Sequence, residues 1–498
     1  MNYTLIPLLL ATVLLASCGS NVVNPVTGKT ERSAMSEASE VAEGKKSHAQ
    51  VMEEYGAVKD ARLQAYVNDL GQKLAKQSHR SQLEWHFTVL DSPEINAFAL
   101  PGGYVYVTRG IMAYMESEAD LAGVMGHEIG HVTARHGAAR ATRQQNAGLG
   151  VFAAAVLGAV LESRGVSGAG QLATDVSQGV AAGYIASYGR EQELQADGLG
   201  AEYLARSHYD PHNMVDVINV LKNQERFAAD QARAEGRPAP AASNWLSSHP
   251  SNDQRLQTIT QLAAQYKDTG SYNDEGRARY LQAIAGLGFG DSAEQGMTRG
   301  RNFYHEPLGI AVTAPPAWAI QNAADKLTLV NAERDAGLVI TTTPPQAGAT
   351  HDEIIRNLLQ PEQGRAERLQ INGLPATRFV GTRKNDKGQL QPVEATVVTG
   401  PLNNNYLMVY SAKDAPTLQR ARRQLQEAAG SFRALTPDDR AQARPWGVKI
   451  IPYPRGGFAE MARHSPLANP EQQLRLINGL YTGGEPKPGQ LVKTVERL

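Results

Sequence analysis

Gly126-His127-Glu128-Ile129-Gly130-His131 is the stretch on which the reading of this chain turns. Two histidines four residues apart on a helix lie about 40° apart around its axis, so both imidazoles can point at one ion. Neutral imidazole nitrogens are zinc ligands, and Glu128 stands close enough to exchange a proton with a water at such an ion. Twelve histidines in 498 residues leave a real chance of coincidence, so the setting of the motif has to decide.

That setting is helical. Ser117-Glu118-Ala119-Asp120 has the form of a capping box, and Leu121, Val124, Met125, Ile129 and Val132 then mark a buried stripe flanked by His127 and His131. A third ligand must come from elsewhere. A metzincin needs a histidine ten positions after His127, where Gly137 stands, and a glycine where Ala134 stands. His136 is one residue short of that register, which makes it a packing or supporting histidine. Further on, Tyr188 to Asp197 places Glu193 and Asp197 four residues apart on one helical face. A glutamate there can bind the ion while the aspartate accepts the second N–H of a liganding histidine. Spacing alone does not separate Glu193 from Glu191.

His127-Glu128-Ile129-Gly130-His131 followed by Arg190-x-x-Glu193-x-x-Ala196-Asp197 resembles peptidase family M48, the gluzincins that include the CAAX prenyl proteases, HtpX and BepA-like periplasmic metallopeptidases. The resemblance implies one Zn2+ held by His127, His131 and Glu193, with Asp197 behind a histidine and Glu128 as catalytic base. Gln195 departs from the glutamate common there, at a position that is not a ligand. Asn96-Ala97-Phe98-Ala99 is similar to the family's substrate-binding edge strand, ahead of a Pro101-Gly102-Gly103 turn that reads as a hairpin. His249-Pro250 with Arg255 six residues on also fits the family pattern. It implies that His249 approaches the zinc site, either closing it as an extra ligand or, with Arg255, stabilising an oxyanion.

Around this centre the chain divides. Lys+Arg (49) and Asp+Glu (50) nearly cancel, which argues against a nucleic-acid partner. The single cysteine, Cys18, excludes an internal disulfide and a cysteine-ligated zinc. Leu5 to Ala16 is an apolar run of signal length, and Leu15-Ala16-Ser17-Cys18-Gly19 resembles a bacterial lipobox, although no Lys or Arg precedes the run. The resemblance implies lipidation of Cys18 and, with Gly19 next, a periplasmic protein anchored to the outer membrane. Residues 1–17 then form the signal peptide and 18–48 a polar tether. Ala147 to Leu161 is apolar but shorter than a membrane span and reads as a helix over the cleft.

The expected fold is multidomain. Residues 49–268 form a mainly α-helical, zincin-like peptidase domain with a small β-hairpin or sheet, opening on a helical pattern from Ala49 to Lys76. Residues 269–300 read as a linker with one helical piece. Alternating strands and two helices make 301–437 an α+β domain, which through Phe303 to Trp318 resembles PsbP/Mog-like modules that bind or position partners. Residues 444–498 resemble a degenerate LysM βααβ module, with Pro454-Arg455-Gly456-Gly457 in place of its opening turn. The function implied is a zinc metalloendopeptidase acting on cell-envelope proteins, in quality control or assembly of outer-membrane proteins. The alternatives are a chaperone or assembly factor with a latent peptidase, and a peptidoglycan-associated peptide hydrolase.

Overall fold

A computed structural model of the chain describes residues 20–142, 188–234, 236, 245–249, 253–266, 272, 274–323, 326–384 and 388–498. Cys18 with its signal segment, and the Ala147–Leu161 stretch, lie outside these described residues. Among the described residues no helix is long and apolar enough to cross a membrane.

Polar composition predicts a tether over 18–48, but residues 20–48 are folded onto the body. Strands β1 (Ser20–Val23) and β2 (Thr30–Ser33) pair as a hairpin, and helix α1 (Glu37–Glu54) follows. The reason is a matched charge. Glu40, 1% exposed, accepts from Arg80 Nη2 at 3.0 Å and from Arg135 Nε at 3.1 Å. Arg80 and Arg135 also donate to the carbonyls of Val132 and Met35, at 3.1 and 2.7 Å. A polar segment can thus join the core when its buried charge is paired and hydrogen-bonded.

The helical pattern expected from Ala49 to Lys76 is divided. Gly56 takes φ +65° after α1, and Asp60 caps α2 (Ala61–Ala75) by accepting from the Arg62 and Leu63 amides at 2.9 and 3.2 Å. Strands β3 (His86–Leu90), β4 (Ala97–Leu100) and β5 (Tyr104–Thr108) form a sheet in the order β3-β5-β4, with β3 parallel and β4 antiparallel to β5. Gly102 and Gly103, at φ +82° and +101°, make the turn between β4 and β5. Alternation splits the residues between the two faces of the sheet. Ala97, Ala99, Val105 and Val107 enter the main core, while Phe98, Leu100, Tyr104 and Tyr106 pack with Val51 of α1.

Short helix α3 (Arg109–Tyr114) leads into α4 (Glu118–Thr133), which carries the metal motif and is buried along its whole length. Around it lie α5 (Arg190–Arg206), α6 (Asn213–Ala234), α7 (Trp245–Ser248) and α8 (Asp253–Gln265). The stretch read as a linker is structured too, with α9 (Arg277–Ala283), β6 (Gly288–Phe289) and β7 (Met297–Arg299).

Next come β8 (Asn302–His305), β9 (Ile310–Thr313), β10 (Ala319–Asn322), β11 (Leu327–Val330), β12 (Ala336–Thr342), α10 (His351–Ile354), β13 (Gln363–Ile371), β14 (Leu374–Lys384), β15 (Leu390–Thr399), β16 (Asn405–Ala412) and α11 (Ala415–Gly430). Their main sheet is antiparallel, ordered β10-β11-β12-β16-β15-β14-β13. Leu418 and Leu425 of α11 pack with Leu338 and Met408 on one face, and Ile354 of α10 packs with Phe379 and Val397 on the other. β17 (Arg433–Ala434) joins β9, β8 and β7 in a smaller sheet, ahead of α12 (Pro437–Gln442). The chain then runs β18 (Trp446–Pro452), α13 (Gly457–Ala462), α14 (Pro470–Ile477) and β19 (Leu491–Arg497). β18 pairs antiparallel with β19 and, through Trp446 and Gly447, with β6.

Removing one member of a buried ion pair strands the other, so Glu40→Ala is expected to destabilise the protein by about 3–5 kcal/mol. Urea unfolding of the variant beside the parent protein measures this, and a loss under about 1 kcal/mol would mean that Glu40 is not what holds α1 in place.

Candidate metal centre

Packing brings the two ligand helices unusually close. A Cβ on Gly130 would lie 2.9 Å from the Ala196 carbonyl oxygen, and one on Gly200 would lie 3.1 Å from the His127 amide nitrogen. Glycines at 126, 130 and 200 therefore let α4 and α5 approach backbone to backbone, which carries Glu193 to the two histidines. The capping box expected at Ser117–Asp120 is present and fixes where α4 begins.

His127, His131, Glu193 and His249 converge, each buried, with one ligand atom apiece all within 4.8 Å of one another. His127 Nε2 lies 2.9 Å from His131 Nε2 and 3.5 Å from Glu193 Oε2, and His131 Nε2 lies 3.6 Å from Glu193 Oε1. Ligands about 2.0–2.1 Å from a tetrahedral zinc stand about 3.3–3.4 Å apart, and these separations bracket that value. His249 Nδ1, at 3.1 Å from His127 Nε2 and 3.2 Å from Glu193 Oε1, takes the fourth place in the set. Its other ring nitrogen, Nε2, lies 3.4 Å from Glu128 Oε1. The imidazole thus stands between the ligand set and the expected base.

The surroundings orient each member. Asp197 Oδ1 lies 2.8 Å from His127 Nδ1, as the i, i+4 spacing with Glu193 suggested. Arg255 donates Nε and Nη2 to Asp197 at 2.7 and 2.8 Å, donates Nη1 to the His249 carbonyl at 2.7 Å, and sits 3.0 Å from Glu193 Oε2. His136 Nδ1 faces His131 Nδ1 at 2.8 Å, and its Nε2 reaches Gln195 Oε1 at 3.0 Å. Gln195, which sequence singled out only as a departure, therefore supports a supporting histidine. Two contacts carry no sequence signal at all. Trp245 Nε1 donates to Glu128 Oε1 at 2.9 Å, and the Tyr188 ring stacks on His131 with centroids 3.9 Å apart.

The electrostatics suit a cation. Glu128, Glu193 and Asp197 are buried carboxylates opposed by the Arg255 guanidinium, an excess of negative charge that a divalent ion offsets. Glu128 Oε2 is buried and has no hydrogen-bond partner among the described residues. Burial opposes ionisation of Glu193, yet the adjoining His249 and His127 hold its carboxyl far below the usual range. Burial likewise opposes the charge on Asp197, and the Arg255 fork holds its carboxyl down. For His127 burial is outweighed by Asp197 and Glu193, which push its pKa up to about 9. Burial and the neighbouring His127 push His131 well below the normal imidazole value. The donor set and charge balance fit one zinc ion.

Asn96, Ala97 and Phe98 lie apart from the cluster, on and beside the β4 edge. The Phe98 ring faces α1, stacked on Tyr106 at 4.9 Å. At its head, the Trp245 amide donates to the Ile95 carbonyl at 2.6 Å.

Comparison with known proteins agrees with this geometry. The family model of peptidase family M48 matches residues 61–263. The chain is 32% identical over 242 residues to the "Beta-barrel assembly-enhancing protease" of Escherichia coli (strain K12), covering 48% of this chain and 47% of that protein. It is 30% identical over 220 residues to "Mitochondrial metalloendopeptidase OMA1" of Schizosaccharomyces pombe, covering 43% and 58%. The chain thus spans about half the length of the curated relatives it matches. A solved structure, cyanobacterial PsbP (CyanoP) from Synechocystis sp. PCC 6803, covers 28% of this chain and 98% of its own at 14% identity, with a TM-score of 0.21.

Partners behind a metal-bound histidine commonly change metal affinity by about 10–100-fold. Asp197→Asn is therefore expected to weaken zinc binding by that factor, read by competition with a chromophoric chelator. Unchanged affinity would remove Asp197 from the site.

Proposed function

With residues 61–263 a peptidase family M48 domain, we propose that the chain is a zinc-dependent metalloendopeptidase of the bacterial cell envelope. His127, His131 and Glu193 would hold the ion, with Asp197 orienting His127. When bound, zinc polarises a peptide carbonyl and acidifies water. Glu128 takes the proton of the attacking water and delivers it to the leaving amine. Trp245 fixes one of its oxygens and leaves the other free for that exchange. Asn96, Ala97 and Phe98 would form the edge that holds an extended substrate by main-chain hydrogen bonds; the Asn96 amide and carbonyl are already bonded to Thr108 and the Ala97 amide to Asn96 Oδ1, so those bonds would fall to the rest of the strand.

The observation that carries the resting state is the position of His249. Its ring fills the space between the ligand set and Glu128, where substrate carbonyl and water would have to meet. His249 therefore acts first as a closing ligand, and α7 must move for turnover. Trp245 of α7 also occupies the Ile95 carbonyl at the head of the edge strand, so one movement would free both. Arg255, held by Asp197, remains in place to stabilise an oxyanion.

The name of the Escherichia coli relative supports a role among envelope proteins, in assembly or quality control of outer-membrane proteins. Lipidation at Cys18 would place the enzyme in the periplasm, on the outer membrane. Residues 49–268, 301–437 and 444–498 would be the peptidase, a PsbP/Mog-like partner-binding domain and a LysM-like module. The strand-helix-helix-strand order of the last, with β18 antiparallel to β19, supports that reading, and peptidoglycan contact would follow from it. The closed site also favours a second reading, an assembly factor whose peptidase stays latent. Rescue of a deletion strain by the Glu128→Gln protein would select it.

Glu128→Gln is expected to slow cleavage of an unfolded test protein by about 10²–10⁴-fold, followed by gel electrophoresis. Cleavage at the parent rate would sink the catalytic assignment. His249→Ala should accelerate the same reaction, by about tenfold for a site closed about 90% of the time. Slower cleavage would instead make His249 a helper of the reaction.

A further inference from the structure

The carboxyl-terminal strand sends a lysine into the peptidase core. Lys493 of β19 is 0% exposed, and its ammonium group meets three oxygens. Nζ donates to the Ala113 carbonyl at 3.1 Å and the Met115 carbonyl at 2.6 Å, and pairs with Glu116 Oε1 at 2.7 Å. The two carbonyls belong to the carboxyl-terminal end of α3, where carbonyls lack donor partners within the helix. Glu116 immediately precedes Ser117, the N-cap of the metal helix α4.

The rest of the junction is equally tied. Asn478 holds β19 in register, donating to the Lys493 carbonyl and accepting from its amide, both at 2.8 Å. Arg277 of α9 takes the other oxygen of Glu116 at 2.9 Å and donates to the Leu491 carbonyl at 2.9 Å. Asp120 Oδ2 accepts the Glu116 and Ser117 amides at 2.9 and 3.2 Å, so whatever fixes Glu116 fixes the first turn of α4. From Ser117 to Glu128 the helix rises about 16 Å as a buried rod, with its glycines packed against α5. A change in position at its start is carried to its ligands, because close-packed helices shift as units.

We infer that Lys493 is a positioning residue for the peptidase, and that the module at 444–498 serves as a brace that sets the metal helix rather than as a detachable appendage. A buried lysine with two carbonyl acceptors and a paired carboxylate specifies one seating, whereas an apolar residue would permit several. The kinetic part of this inference rests on the peptidase reading above; the spectroscopic part does not.

The test uses the full-length protein loaded with Co(II) as a probe of ligand geometry, beside the zinc enzyme. Lys493→Met keeps the length of the side chain and removes the donors. Arg277→Met, at a side chain 29% exposed, is a milder second variant should the first fold poorly. The expected result is an altered Co(II) visible spectrum in both variants, larger for Lys493→Met. It should come with a kcat lowered about tenfold or more at unchanged KM, as misplaced catalytic groups give. A lower melting temperature with parental spectrum and kcat in both variants would reduce Lys493 to a structural anchor and overturn the inference. An altered spectrum in a protein that cleaves no test substrate, before or after mutation, would uphold the brace and count against the peptidase reading alone.

Discussion

The contact between α4 and α5 is the constraint on which the site depends. A carboxylate from one helix reaches two imidazoles on another only if the axes come closer than ordinary side chains allow. Gly126, Gly130 and Gly200, with Ala196 opposite, remove the Cβ atoms that would hold them apart. The charged and imidazole groups that support the ligands around this contact are paired in a chain. Asp197 answers His127, Arg255 answers Asp197 and Glu193, His136 answers His131, and Gln195 answers His136. Such a network stays fixed because no member can leave without stranding another in a low-dielectric interior.

That rigidity contrasts with the arrangement of α7. Trp245 of a four-residue helix and His249 just after it touch the base, the ligand set and the head of the edge strand, so in the proposed mechanism one short segment would control both chemistry and substrate access. The ligand half of the centre is built between long helices, whereas the half that would have to move in that mechanism is borne by a short segment. At the opposite end of α4, the carboxyl-terminal strand and the former linker grip the helix start through Glu116 and Glu118, the latter bound by Tyr66, Tyr209 and Arg279. The metal helix is therefore defined from both ends by segments distant in sequence.

Sequence carried the centre well because its signals are local. His127 and His131 follow from i, i+4 spacing on a helix, Glu193 and Asp197 are picked out from Glu191 by the resemblance to the family motif, and strands such as Leu327–Val330 follow from apolar alternation. What escaped depends on pairing across the chain. β13 is exposed along most of its length and shows no alternation, so only its ladder to β14 makes it a strand. Residues 18–48 read as a tether because the segment is polar, and nothing nearby in sequence announces that Arg80 and Arg135 pair with Glu40. Trp245 and Lys493 are similar cases, since an indole donor or a buried ammonium is explained only by the acceptor it finds after folding.

The folded amino-terminal segment also alters the distance scale of the proposed anchor. A 31-residue tether would allow the catalytic body to roam tens of ångströms from a bilayer. With the hairpin beginning at Ser20 and its connection to α1 held by the Arg135 bond to the Met35 carbonyl, the proposed lipid on Cys18 would be only two residue steps from folded protein, about 7 Å of reach. The body would then lie against the headgroups and work as a surface-bound tool. Its reachable substrates would be set by height above the membrane as much as by sequence, with chains emerging at the bilayer within range and those deeper in the aqueous space beyond it.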